Sequence, residues 1–269
     1  MTRPRRGPAA ILVRAAAALV GYAAAALLIG FSFPLALLLR AVTFPFDRDR
    51  MVASRAVRFL GELLIRCYPL WRVSVEGTVP ASGSYVVVPN HRSMVDALAI
   101  ACLPRETKWV GKVEAFRVPW LGWAFSLVGY IPVLRGDRDS GSAALARARG
   151  YLARGVPVGL FAEGTRSRDG TLRPFKPGPF KLAIDAGVPL VPVAIAGAGR
   201  AMPADQPWIA PSRIRVRILP ALPTAGLGAA DVDRLRESTF QLLEAELQAM
   251  EAEGAGAAAP PPAVEPKSR

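Results

Sequence analysis

At 269 residues the chain is long enough for one substantial α/β domain with an attached segment. Hydrophobic residues make up 52%, and a net charge of +13 predicts attraction to something acidic. The arginines are scattered and form no nucleic-acid module, so no nucleic-acid partner is expected. With one histidine and two cysteines, Cys67 and Cys102, in no ligand spacing, no metal site is expected and no disulfide scaffold is indicated.

In chain order, residues 15–39 carry no charged side chain. As a helix that run would extend about 37 Å, enough to cross a bilayer. Arg3, Arg5, Arg6 and Arg14 precede it, and Arg40, Arg48, Arg50, Arg55 and Arg58 follow, so charge gives no orientation. Its length argues against a cleaved signal peptide. Pro34 and Phe44-Pro45-Phe46 are the expected places for a break into a re-entrant or hairpin form. Met51 to Trp71 has apolar residues near helical spacing with arginines among them. That suits either an interfacial helix reaching lipid phosphates or a helix packed on a core.

From about residue 71, short β-rich runs alternate with helical stretches. Strands are expected at Arg72–Val75, Tyr85–Pro89, Thr107–Gly111, Tyr130–Leu134, Val156–Phe161, Leu190–Ile195 and Arg213–Leu219. Helices are expected at 94–102, 118–127, 139–153, 178–186 and 231–252. The alternation implies an α/β fold, a single domain with a largely parallel mixed sheet covered by helices. The organisation is therefore a membrane anchor over 1–45, an interfacial or packing helix over 46–70, an α/β domain over 71–252 and a disordered Ala/Pro/Gly-rich tail over 253–269.

The strand Val86-Val87-Val88 runs into Pro89-Asn90-His91-Arg92-Ser93-Met94-Val95-Asp96. Histidine suits general-base work near neutral pH, and a carboxylate on its second ring nitrogen fixes the tautomer. Five residues apart, His91 and Asp96 lie about 140° apart on a regular helix. They meet only if His91 is in the turn after the strand and Asp96 in the first helical turn. A structural histidine beside a capping aspartate fits the same residues.

A second constellation, Phe161-Ala162-Glu163-Gly164-Thr165-Arg166-Ser167, also follows a strand. Gly164 permits close backbone approach, Thr165 and Ser167 offer hydroxyls, and Arg166 can grip a phosphate. Lys176 adds a cation just before a helix start. A plain turn has similar composition. Arg135, after the strand at 130–134, is either a second phosphate partner or an exposed loop charge. In Val188-Pro189-Leu190-Val191-Pro192-Val193-Ala194 the prolines predict an edge strand or irregular entry, lining either a channel or the core.

Taken together, Asn90-His91 with Asp96, Arg135, Phe161 through Ser167 and the Val-Pro strand resemble the 1-acylglycerol-3-phosphate acyltransferases (lysophosphatidic acid acyltransferases) in order and spacing. The resemblance spans roughly residues 71–220, with Leu134 where the family often has an aromatic residue. It implies His91 as base, Asp96 as its orienting partner, and Arg135, Glu163, Gly164, Thr165, Arg166 and Lys176 around the acceptor's phosphate. The implied reaction moves a fatty acyl group from acyl-coenzyme A or acyl-carrier protein to a lysophospholipid hydroxyl, with no cofactor. Another lysolipid acceptor, such as a lyso-ornithine lipid, fits the same motifs, and a non-catalytic lipid-binding protein is the alternative of another class. The Ala-, Arg- and Pro-rich composition suggests a GC-rich bacterium, and hence an inner-membrane protein with its site on the cytoplasmic side.

Overall fold

The computed structural model describes residues 8–164, 171–202 and 209–256. The chain forms α1 (Pro8–Thr43), α2 (Met51–Cys67), β1 (Trp71–Glu76), β2 (Val86–Pro89) and α3 (Val95–Ala99), which a 3₁₀ turn (Ile100–Cys102) extends. Then come β3 (Lys108–Lys112), α4 (Val113–Phe116), α5 (Leu121–Leu127), β4 (Ile131–Val133), α6 (Arg138–Leu152) and β5 (Val158–Leu160). The chain closes with α7 (Gly178–Ala186), β6 (Leu190–Ala196), α8 (Ala198–Ala201), β7 (Ser212–Ile218) and α9 (Val232–Gly256).

The strands make one seven-stranded sheet in the order β1-β7-β6-β2-β5-β3-β4. All pairings are parallel except β6 with β7. Both faces of the sheet are covered. Val86 and Val88 enter one core with α6, α7 and α9, and Val87 enters the other with Tyr85, Val95 and Ile65. This explains why the central strands read as unbroken apolar runs. On β7 only Ile214, Val216 and Ile218 are buried, while Arg213, Arg215 and Arg217 alternate with them.

Two expectations need correction. The Val-Pro segment is not an edge strand: β6 is buried throughout and lies between β7 and β2. Val86 N–H donates to Pro189 O and Asn90 N–H to Val193 O, so the odd-numbered residues of β6 face β2. Pro192 therefore turns its missing donor toward β7, where regular pairing stops at Ile218 and the Pro192 carbonyl accepts from Leu219 N–H. The helix expected at 118–127 starts only at Leu121, because Pro119 and then Trp120, at φ 64°, break the backbone before it.

Pro34 does not interrupt α1; the chain turns at residues 44–50 instead. There α1 and α2 form an antiparallel hairpin, with Ala36 packed in one cluster with Ala53 and Val57, and Gly21 against Tyr68. Of the two readings of the second helix, its inner face packs on the domain. Arg58 points inward and donates to Glu106, Ala101 O and Leu103 O. Ser54 Oγ donates to Glu106 at 2.5 Å, and Lys108 Nζ donates to Val128 O at 2.7 Å and Arg50 O at 3.3 Å. Burial pushes the Glu106 carboxyl up and the Lys108 ammonium down to about 8. This buried polar joint fixes the hairpin to the sheet.

Alpha9 continues to Gly256, past the expected start of the tail, and residues 257–269 lie outside the described residues.

Candidate active site

Beta2 and β5 are neighbouring parallel strands, so the turns that follow them meet at one end of the sheet. Their pairing stops at Val87 with Gly159, which opens the sheet just beyond. Asn90 stabilises one side of that opening. Its side-chain amide accepts from Ile195 N–H at 2.7 Å and donates to Ile195 O at 3.1 Å, extending the ladder between β2 and β6 by one side chain. In the sequence Asn90 stands only as a neighbour in the His91 motif. Its pairing with Ile195 depends on a register that no local pattern reveals.

His91 sits in the turn after β2, and Asp96 is in the first turn of α3. His91 Nδ1 lies 3.1 Å from Asp96 Oδ2. That same oxygen accepts from the backbone N–H groups of Arg92 and Ser93, each at 2.6 Å. The carboxylate thus caps its own turn while it orients the imidazole. Asp96 is fully buried, and Oδ1 has no hydrogen-bond partner among the described residues. His91 keeps 11% of its side chain exposed and stacks on Phe161 at 4.1 Å between ring centroids. One edge of the ring therefore remains reachable while the other is held.

Glu163 lies in the turn after β5 and is turned into the protein. Oε1 accepts from His91 N–H at 2.6 Å and Oε2 from Arg173 N–H at 3.1 Å. Burial pushes its carboxyl up to about 7, against the two backbone donors that favour the charged form. The structure thus gives Glu163 backbone partners on both oxygens and places it behind His91.

Gly164 has φ 70°, a left-handed conformation that closes the turn through Gly164 N–H to Phe161 O. A Cβ there would stand 2.8 Å from Lys176 Cε and 3.1 Å from its Nζ. Lys176 is exposed, its side chain lies across Gly164, and its own N–H donates to Ala162 O. The structure therefore brings Gly164 and Lys176 together, one strand from His91. Thr165, Arg166 and Ser167 lie outside the described residues. Arg135 is exposed beyond β4, the sheet edge, at the same end of the sheet. Its loop is braced by Ser140, whose Oγ accepts from Leu134 N–H and whose N–H donates to the Asp137 cap. Beta4 is three strand spacings from β2, roughly 14 Å, so Arg135 is set well back from the imidazole.

Residues 72–196 match the Acyltransferase family. The human 1-acyl-sn-glycerol-3-phosphate acyltransferase alpha is 34% identical over 209 residues, covering 71% of this chain and 70% of its own length. The chain belongs to the 1-acyl-sn-glycerol-3-phosphate acyltransferase family. The chloroplastic relative from Brassica napus is 37% identical over 163 residues, covering 59% of this chain. This chain spans 46% of that relative and 62% of the Chlamydomonas reinhardtii one, less than two thirds of their length. The crystal structure of the 1-acyl-sn-glycerophosphate acyltransferase of Thermotoga maritima superposes with a TM-score of 0.75 at 25% identity, covering 90% of this chain and 97% of that one. The α/β fold is thus one that this chain shares with a solved member of the family.

Proposed function

We propose that the protein transfers a fatty acyl group from a thioester donor to the free hydroxyl of 1-acylglycerol-3-phosphate, forming phosphatidic acid. The observation that carries this reading is the His91–Asp96 pair, held in one turn by three contacts to a single carboxylate oxygen. With Nδ1 committed to Asp96, Nε2 is the nitrogen that takes a proton.

In this reading Nε2 removes the hydroxyl proton as the acceptor oxygen attacks the thioester carbonyl. The tetrahedral intermediate then collapses, the carbon–sulfur bond breaks, and the imidazolium returns its proton to the departing thiolate. Asp96 stabilises the imidazolium between these steps. General-base help of this kind is worth about 10²–10⁴-fold. Gly164 and Lys176, continuing into Thr165 and Arg166, hold the acceptor's phosphate beside the base, with Arg135 further out. Glu163 acts as a positioning residue that fixes the His91 backbone. The acceptor is assigned from the relatives, which are named for action on 1-acyl-sn-glycerol-3-phosphate.

The same reading places the protein on a membrane. The segment Ala18–Thr43 is long and apolar enough to cross one, and its outer face exposes Leu19, Leu27, Phe31 and Leu38. In a bacterial cell this implies the inner membrane, with the site on the side where thioesters are made.

The test incubates membranes carrying the wild type or His91→Ala with labelled acyl-coenzyme A or acyl-carrier protein. Lysophosphatidic acid, lyso-ornithine lipid and lysophosphatidylcholine serve as acceptors. Conversion of lysophosphatidic acid by the wild type, reduced at least about 10²-fold in His91→Ala, is expected. Equal activity in both proteins rejects the catalytic role, and conversion of a different lysolipid reassigns the acceptor.

A further inference from the structure

A second cluster of positive charge lies on the opposite side of His91 from Gly164 and Lys176. Because β7 is antiparallel to β6, β1 and β7 begin at the end of the sheet where β2 and β6 finish. Arg72 and Arg213 occupy those beginnings and are direct register partners. Paired strands are about 4.8 Å apart, so two cationic side chains leave the same face side by side. Like charges placed this way oppose one another, and an anion held between them relieves the repulsion. Arg200 of α8 and Arg215 of β7 line one groove with Arg213 and Ser212.

One acid, Glu253, lines the same groove, and its charge is taken up by two other arginines. Glu253 pairs with Arg215 at 2.8 Å and Arg217 at 3.1 Å, and Glu251 pairs with Arg92 at 2.5 Å. Arg72, Arg200 and Arg213 are exposed, and none has an ion pair among the described residues. Arg92 connects this groove to the base. It follows His91 directly, its Cβ lies against α8 at Gly199, and its buried Nε has no partner among the described residues.

We infer that Arg72, Arg200 and Arg213 form a second anion site, which takes the phosphate of the acyl donor's pantetheine arm. The inference rests on the acyl-transfer reading above and adds the donor's position to it. Distance decides which substrate's phosphate belongs here. In the acceptor the phosphate is on the carbon next to the one bearing the reacting hydroxyl, so it must bind close to the base, where Gly164 and Lys176 are. In the donor the phosphate lies at the far end of the pantetheine arm from the thioester. Beta7 is two strand spacings from β2, roughly 10 Å, a set-back that the arm can bridge. Guanidinium groups suit a phosphate because they bind it with paired hydrogen bonds.

The same phosphate chemistry occurs in coenzyme A and in the prosthetic group of acyl-carrier protein, so both are used as donors. The full chain in detergent micelles is assayed with lysophosphatidic acid and either palmitoyl-coenzyme A or palmitoyl-acyl-carrier protein. Arg200→Glu/Arg213→Glu is expected to raise the KM for at least one donor by about tenfold or more, with the acceptor KM within about twofold of wild type. Arg213→Gln gives a smaller change in the same direction and guards against a folding defect in the double variant. A rise with coenzyme A alone, with lost competition by adenosine 3′,5′-bisphosphate, assigns the site to nucleotide-linked phosphates. A rise with the carrier-protein donor alone assigns it to the carrier's prosthetic group.

Unchanged KM for both donors, or an equal rise for the acceptor, overturns the inference. Failure of the acyl-transfer reading looks different, because the wild type itself would transfer nothing. Calorimetric titration with adenosine 3′,5′-bisphosphate then decides: tighter binding by wild type than by the double variant keeps the anion site, and equal or absent binding removes it.

Discussion

Glu163, which the resemblance groups with the acceptor's phosphate, is turned toward the backbone of His91, the proposed base. A carboxylate aimed at a phosphate would repel it, and here both oxygens accept from backbone N–H groups. Burial is the larger influence on its proton affinity and raises the carboxyl from 4.5 to about 7. The folded state therefore binds this proton more tightly than the unfolded chain. Its contribution to stability is fully present below about pH 4.5 and is lost as pH rises toward 7, a change of about 3 kcal/mol if this group acted alone. Glu163→Gln cannot ionise and lacks this slope. Thermal unfolding of both proteins in detergent from pH 4.5 to 8 is expected to show the wild type's stability relative to the variant falling across the window. A relative stability that rises with pH would mean the two N–H donors outweigh burial.

At the element scale, the connection from β6 to α8 ties the His91 turn to the rest of the sheet. Gly197, at φ 86°, ends β6, and a Cβ there would stand 2.0 Å from Arg213 O. The next helix, α8, supports the turn that carries His91, since the Met202 carbonyl at its end accepts from Ser93 Oγ at 3.0 Å. Gly197→Ala adds both a left-handed backbone penalty and a clash with main chain that cannot rotate away. A loss of roughly 2–4 kcal/mol is expected, together with a fall in kcat, because α8 must shift beneath Ser93. Chemical denaturation and initial-rate assays check both effects, and a stable variant with normal kcat would show that α8 does not support the turn. Nothing about Gly197 stood out in the sequence, because its constraint comes from β7, sixteen residues further on. The elements themselves were far more legible. All seven strands appear where they were expected: the central ones as apolar runs buried on both faces, and β1 and β7 as alternating segments with one face buried. His91 and Asp96 were legible because their spacing admits one strand-turn-helix geometry. The central place of β6 and the backbone partners of Glu163 were not, because both depend on contacts between distant segments.

For the molecule as a whole, the α1–α2 hairpin carries most of the exposed large apolar side chains among the described residues. Leu19 and Leu27 are 71% and 75% exposed, and Phe44, Phe46, Phe59 and Leu63 of the hairpin and Trp120 and Trp123 beside it are exposed as well. In water this surface is unfavourable, at about 25 cal/mol per Å², and a bilayer removes that cost. The buried Ser54–Glu106 and Lys108 contacts join the hairpin rigidly to the sheet, so whatever holds the hairpin also sets the height of His91. A charge on the outer face of α1 should therefore weaken both membrane binding and turnover of lipid presented in a bilayer. Leu27→Arg places a cation near the middle of the Ala18–Thr43 segment at a cost of about 2.5–3.5 kcal/mol. The outward direction of Leu27 means the α/β core is left intact. Flotation with vesicles of phosphatidylglycerol and phosphatidylethanolamine is expected to show a lower bound fraction for the variant. Its activity on lysophosphatidic acid in vesicles should fall, while activity on the same lipid in detergent micelles stays near wild type. Equal losses in both assays would instead mean that α1 supports the site through packing, and the membrane would have no part in positioning the base.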